Sequence, residues 1–122
     1  MKLLRQGFFK EMSYGEEDDP SIFEFIQKDE RPEKEEISQY LEEGGALVAC
    51  GGVTLDVINP QNGIAGSPDM LTDGIWIWPS DLSYYVKKYN LRLNEEFVQT
   101  MRENDWHVKK PININFDNVE IT

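Results

Sequence analysis

The run that most constrains the fold spans residues 72–86 and reads TDGIWIWPSDLSYYV. Asp73 and Gly74 form a turn dipeptide, and the four large apolar residues after them suit a strand. Pro79 ends that strand, because proline cannot donate a hydrogen bond to a sheet. Two of the chain's three tryptophans and two of its five tyrosines lie in this run. Side chains of this size organise a core or an interface, but the run carries no catalytic signature.

Four helices are predicted from cap residues and from apolar residues at i, i+3 and i+4. The first begins at Pro20 with Asp19 as its N-cap, and the second begins at Pro32. The third is capped by Ser80 and the fourth by Asn94. Their predicted buried faces consist of Ile22, Phe23 and Ile26; Ile37, Tyr40 and Leu41; Leu82, Tyr85, Val86 and Tyr89; and Phe97, Val98 and Met101.

Short apolar runs predict the strands. Residues 46–50 and 53–58 flank Gly51 and Gly52, and two glycines supply the positive φ angles of a tight hairpin turn. Another strand is predicted within residues 3–12, and a half-buried one at residues 112–116, where apolar and polar residues alternate. We therefore expect a single α+β domain over all 122 residues, with an antiparallel meander of about four to five strands packed with about four helices.

The composition is strongly acidic, with 23 Asp and Glu against 12 Lys and Arg, a net charge of −11 and a pI near 4.4. The first 45 residues hold 13 of the 23 acids but only half of the bases. Nucleic-acid binding proteins need a basic face, so a general affinity for nucleic acid is excluded. The lone Cys50, the lack of a signal-peptide core and the lack of a long apolar segment lead us to expect a cytoplasmic protein without membrane contact.

Catalytic, cofactor and metal sites are not indicated. The chain has one histidine, His107, and one cysteine, Cys50, whereas a zinc site needs three or four ligands and a Cys-His dyad needs an orienting motif. The acidic residues 16–19 lack the alternating ligands and mid-loop glycine of a calcium loop, and the glycine pairs lack the lysine of a phosphate loop. An enzyme that uses a carboxylate pair stays open, but acids are so abundant that no particular pair stands out.

The string T-D-G-x-W-x-W-P-x-D-L-x-Y-Y-V at residues 72–86, followed by LNEEF at 93–97 and MRENDW at 101–106, resembles a family of small bacterial proteins. Most members of that family are uncharacterised, and some proteins of this kind look like immunity proteins, which bind a cognate toxin and block it stoichiometrically. Where the family has Leu-Pro-x-Glu-Phe, this chain has Asn94 in place of the proline, which also suits a helix start. The resemblance implies protein binding without catalysis.

Two functional hypotheses follow. The first is a non-catalytic immunity-type protein whose acidic surface neutralises a basic cognate toxin, with a nuclease as one candidate. The second is a small-ligand or carbohydrate-binding module in which Trp76, Trp78 and Tyr84 form a stacking surface. Under the first hypothesis, Trp76, Trp78, Tyr85 and Phe97 belong to the core. The residues predicted to contact the basic partner are Glu16, Glu17, Asp18, Asp19, Asp29 and Glu30.

Overall fold

The structure is a computed structural model that describes residues 2–49, 51–109 and 120–121. Its helices and strands alternate irregularly along the chain, which confirms the α+β class. In chain order they are β1 (Lys2–Arg5), α1 (Lys34–Glu42), β2 (Gly45–Val48), β3 (Thr54–Leu55), β4 (Ile64–Gly66), β5 (Met70–Thr72), β6 (Trp76–Pro79), α2 (Leu82–Tyr89), α3 (Glu95–Glu103) and β7 (Glu120–Ile121). No helix within the described ranges is both long enough and apolar enough to cross a membrane.

The main sheet is mixed, so the predicted antiparallel meander is wrong. Its strands lie in the order β2-β5-β6-β1-β7. The neighbours β2, β5 and β6 run antiparallel, but β1 runs parallel to both β6 and β7. Strand β1 joins the sheet at this place because Leu3 and Ile77 are both fully buried in a small cluster with Phe8. Local periodicity says nothing about a pairing between strands that are so far apart in sequence.

The hairpin predicted around Gly51 and Gly52 is also wrong. Both glycines have positive φ angles, 72° and 83°, as the turn prediction required. They connect two different sheets, however, because β2 pairs with β5 while β3 pairs with β4. Strands β3 and β4 and the turn between them form a separate two-stranded sheet, which we call the ribbon.

Only three of the four predicted helices form in the described part of the chain. The first shrinks to one 3-10 turn, Ile22–Glu24, which is capped by Ser21 and not by Asp19. Helix α1 begins two residues after Pro32, and the N-cap of α2 is Asp81 rather than Ser80. Helix α3 starts as predicted, since the Asn94 side chain accepts a hydrogen bond from the Glu96 N–H. The strand predicted at residues 112–116 lies outside the described residues.

The aromatic residues of the 72–86 run form the centre of the core. Trp78 is fully buried and donates its indole N–H to the Leu41 carbonyl at 3.1 Å. The Phe97 ring of α3 stacks on Trp76 at a centroid distance of 4.9 Å and lies 5.3 Å from Trp78. Tyr85 is fully buried too. The assignment of Trp76, Trp78, Tyr85 and Phe97 to the core is confirmed.

Candidate functional site

The acidic loop, residues 16–19, is held in place by Asp19. The Asp19 carboxylate accepts two hydrogen bonds from the Arg5 guanidinium, at 3.1 and 3.3 Å. It also accepts one from the Glu16 backbone N–H at 2.9 Å. The Asp19 side chain is only 8% exposed. Asp19 therefore braces the loop from inside, which the sequence did not indicate because Arg5 lies far away along the chain.

The other three acids of the loop point into solvent. Glu16, Glu17 and Asp18 are all exposed. Among the residues that the structure describes, no hydrogen bond or ion pair engages their carboxylates. The loop thus presents three adjacent negative charges that are not neutralised within the described chain.

Asp29 and Glu30 form a second, smaller acidic group. Both are exposed, and Glu30 forms an ion pair with Lys34 at 3.0 Å, a helix-type i, i+4 pair whose strength in solvent is small. Within the described ranges, no hydrogen bond or ion pair joins this group to the acidic loop. The predicted site residues consequently fall into two groups, of which the loop carries the denser charge.

The aromatic platform required by the ligand-binding hypothesis is absent. Trp76 is 5% exposed and Trp78 is fully buried, so neither ring can stack on a sugar or a base. Tyr84 is half-buried, and its hydroxyl donates to the Asp56 carboxylate at 2.8 Å. The prediction of a stacking surface from these three residues is wrong, because a strand with covered faces uses its aromatic side chains for packing.

Asp56 ties the ribbon to helix α2. It is fully buried and accepts hydrogen bonds from the hydroxyls of Tyr84 and Tyr89, from the Asn62 side-chain amide at 3.1 Å and from the Asn59 N–H at 2.9 Å. Burial alone would raise the pKa of Asp56, but the hydrogen bonds, led by that from Tyr89, outweigh it and lower the pKa to about 2. Asp56 is therefore an ionised structural carboxylate.

Asp81, at the start of α2, ties two more segments to the same helix. Its carboxylate accepts a hydrogen bond from the Tyr14 hydroxyl at 2.6 Å and one from the Thr54 hydroxyl at 2.8 Å. Burial raises the pKa of Asp81 despite these two bonds. The bonds from Tyr14 and Thr54 to Asp81 leave no local signal in the sequence, because these residues are far apart along the chain.

A groove of about 310 Å³ lies between the two segments that are hydrogen-bonded to Asp81. Residues 11–14 form one wall, and Val53, Thr54, Leu55 and Val57 form the other. Val53 is 63% exposed and Leu55 is 51% exposed, and Ile64, the partner of Leu55 in the ribbon, is 61% exposed. Sequence analysis missed this groove because its walls come from segments about 40 residues apart that no periodicity connects.

No group of three or more His, Cys, Asp or Glu side chains in the described ranges is arranged to hold a metal ion. No family model, no curated protein and no solved structure matches this chain. The resemblance of residues 72–106 to a family of small bacterial proteins stays a prediction.

Proposed function

We propose that this protein is a non-catalytic, cytoplasmic immunity-type inhibitor that binds and neutralises a basic toxin through its acidic surface. The observation that carries the proposal is the acidic loop, with Glu16, Glu17 and Asp18 exposed on a chain of net charge −11. A surface of this kind favours encounter with a positively charged protein and disfavours most other partners.

The bracing of the loop supports a binding role. Because Asp19 is fixed by Arg5 and by the Glu16 N–H, the backbone that carries the three exposed carboxylates needs little ordering when a partner arrives. The Arg5 guanidinium also lies 4.4 Å from the Phe8 ring centroid. This cation–π contact holds the Arg5–Asp19 pair against the buried Phe8 side chain. A preformed charged surface loses less conformational entropy on binding than a mobile one.

Within the proposal, the six predicted residues have different roles. Glu16, Glu17, Asp18 and Asp29 contact lysines and arginines of the toxin directly. Asp19 positions the loop, and Glu30 contributes less because it already pairs with Lys34. A nuclease is one candidate toxin, since the cations that would hold substrate phosphates are the ones that these carboxylates would cover.

The test begins with a pull-down of the tagged protein from cells of its own species, at low and moderate salt. The captured protein must be basic, toxic when expressed alone and harmless when this chain is co-expressed. We expect the variant Glu16→Gln, Glu17→Gln, Asp18→Asn to lose protection and to bind the toxin roughly tenfold more weakly at low salt.

The matched control is Glu36→Gln, Glu96→Gln, Glu103→Gln, which removes the same charge from exposed positions outside the loop. It should keep most of the affinity and all of the protection. Equal loss in the two variants would show that only net charge matters, and no loss in either would contradict the proposal.

A further inference from the structure

We infer that the groove beside the ribbon is the anchor site of the docking surface, and that it takes one apolar side chain of the basic partner. This inference rests on the proposed function and adds the chemistry of the contact. The acidic loop would steer the partner and bind its cations, while the groove would bury an apolar residue that lies between those cations.

The exposed apolar residues are the first support. Val53, Leu55 and Ile64 are each more than half exposed. Leu55 and Ile64 are cross-strand partners in the ribbon, and Val53 immediately precedes it. Among residues 51–66 the only ionisable side chain is that of Asp56, which is fully buried. The ribbon side of the groove therefore carries no exposed charge. The opposite wall carries one carboxylate, Glu11, whose oxygens accept hydrogen bonds from the Ser21 hydroxyl and the Ile22 N–H. Exposed apolar patches of this kind are typical of protein contact sites.

The groove is also preformed. Asp81 holds one wall through Tyr14 and the other through Thr54. Gly66 of β4 packs so closely on the start of α2 that an added Cβ would lie 2.8 Å from the Asp81 Cβ. Pockets with fixed walls bind small groups with little reorganisation.

Charge complementarity favours a basic protein as the partner whose side chain enters the groove. The wall that contains Tyr14 continues directly to Glu16, and two residues of chain span at most about 7 Å. A lysine next to a side chain in the groove would therefore reach the acidic loop. A second copy of this chain would bring another net charge of −11 to the contact, so a basic partner fits this surface better than self-association does.

The test uses two synthetic nonapeptides as probes, each with four lysines on either side of a central leucine or serine. Their affinities for the intact protein are measured by calorimetry at low salt. We expect the leucine peptide to bind about tenfold more tightly than the serine peptide, because only leucine buries apolar area in the groove. On the wild type, the methyl NMR signals of Val53 and Leu55 should shift with the leucine peptide alone.

Leu55→Ser should reduce the difference between the peptides to less than about twofold. Ile75→Ser is the matched control, since Ile75 is also 51% exposed and does not line the groove; it should leave the tenfold difference intact. The NMR measurement needs no variant, so misfolding of Leu55→Ser would not remove the test.

The outcomes separate this inference from the proposed function. If both peptides bind equally and salt weakens both, the groove inference is overturned while binding of basic partners stands. If neither peptide binds, the inference fails, and the toxin pull-down still decides the proposed function. If sedimentation finds a wild-type dimer that Leu55→Ser dissociates, a second copy occupies the groove and the inference is overturned.

Discussion

The side chains of the aromatic core around β6 are buried and packed against other residues of the chain. Those of the surface made by the acidic loop and the groove are largely exposed. Trp78 is fully buried, hydrogen-bonded to Leu41 and packed on Phe97. On the surface, Glu17 is exposed and Leu55 is 51% exposed. Core substitutions should therefore change the stability of the fold, whereas surface substitutions should change binding with little effect on stability.

The largest expected effect is that of Phe97→Ala. Phe97 is fully buried and contacts the rings of Trp76, Trp78 and Tyr40. Truncation leaves a cavity among rigid rings, so the free energy of unfolding should fall by about 3–5 kcal/mol in urea denaturation. Phe23→Ala is the control, because Phe23 is 56% exposed, and it should cost less than about 1 kcal/mol. Equal losses of unfolding free energy in the two variants would contradict this difference between core and surface.

The two buried aspartates, Asp56 and Asp81, should differ in how much they contribute to stability. Asp56→Asn should cost roughly 1–3 kcal/mol of unfolding free energy, because both carboxylate oxygens accept hydrogen bonds and an amide nitrogen cannot accept. Oδ1 accepts from the Asn59 N–H, and Oδ2 accepts from Tyr84, Tyr89 and Asn62. Asp81→Asn should cost less, because the Tyr14 and Thr54 hydroxyls that donate to Asp81 can turn and accept from the new amide. The Asn59 N–H and the Asn62 amide nitrogen that donate to Asp56 cannot accept. A larger loss for Asp81→Asn would contradict this account.

The contributions of Asp56 and Asp81 to stability should depend on pH in opposite directions. The folded-state pKa of Asp56 is about 2, below its ordinary value of 3.8, so its contribution is present above about pH 4 and is lost as the pH falls toward 2. The pKa of Asp81 is raised, so its contribution is present at low pH and is lost as the pH rises through that pKa. Unfolding free energies between neutral pH and about pH 3 should fall less steeply in Asp56→Asn than in the wild type, and more steeply in Asp81→Asn.

The smallest effect on stability is expected for the loop variant Glu16→Gln, Glu17→Gln, Asp18→Asn. These side chains are exposed and make no ion pair in the described part of the chain. The free energy of unfolding, measured by thermal denaturation, should therefore change by no more than about 0.5 kcal/mol. A stability loss well above this would mean that the loop acids have a structural role.

The sequence predicted the parts of the fold that depend on near neighbours. The aromatic strand, the buried face of α3 and its Asn94 cap all follow from spacings of a few residues. The pairing of β1 with β6 could not be predicted, because Leu4 and Trp76 meet across 72 positions. The Gly51-Gly52 pair predicts a tight turn correctly, because positive φ is a local property. It cannot predict which strand pairs with which, because packing decides that choice.

The candidate site divides in the same way. The acidic run at residues 16–19 is visible in the sequence, and the excess of acidic residues in the chain predicts a basic partner. The role of Asp19 depends on Arg5, and the groove depends on Tyr14 and Thr54 meeting at Asp81. These contacts join distant segments, so no local pattern of residue types could reveal them.

Binding through the acidic loop is tested by the rate at which the purified toxin associates with this protein, measured by stopped flow from low to moderate salt. For the wild type we expect fast association that slows steeply with salt, because exposed carboxylates steer a basic partner. The variant Glu16→Gln, Glu17→Gln, Asp18→Asn should associate about tenfold more slowly at low salt and depend less on salt. The same rate and the same salt dependence in both proteins would contradict binding through the acidic loop.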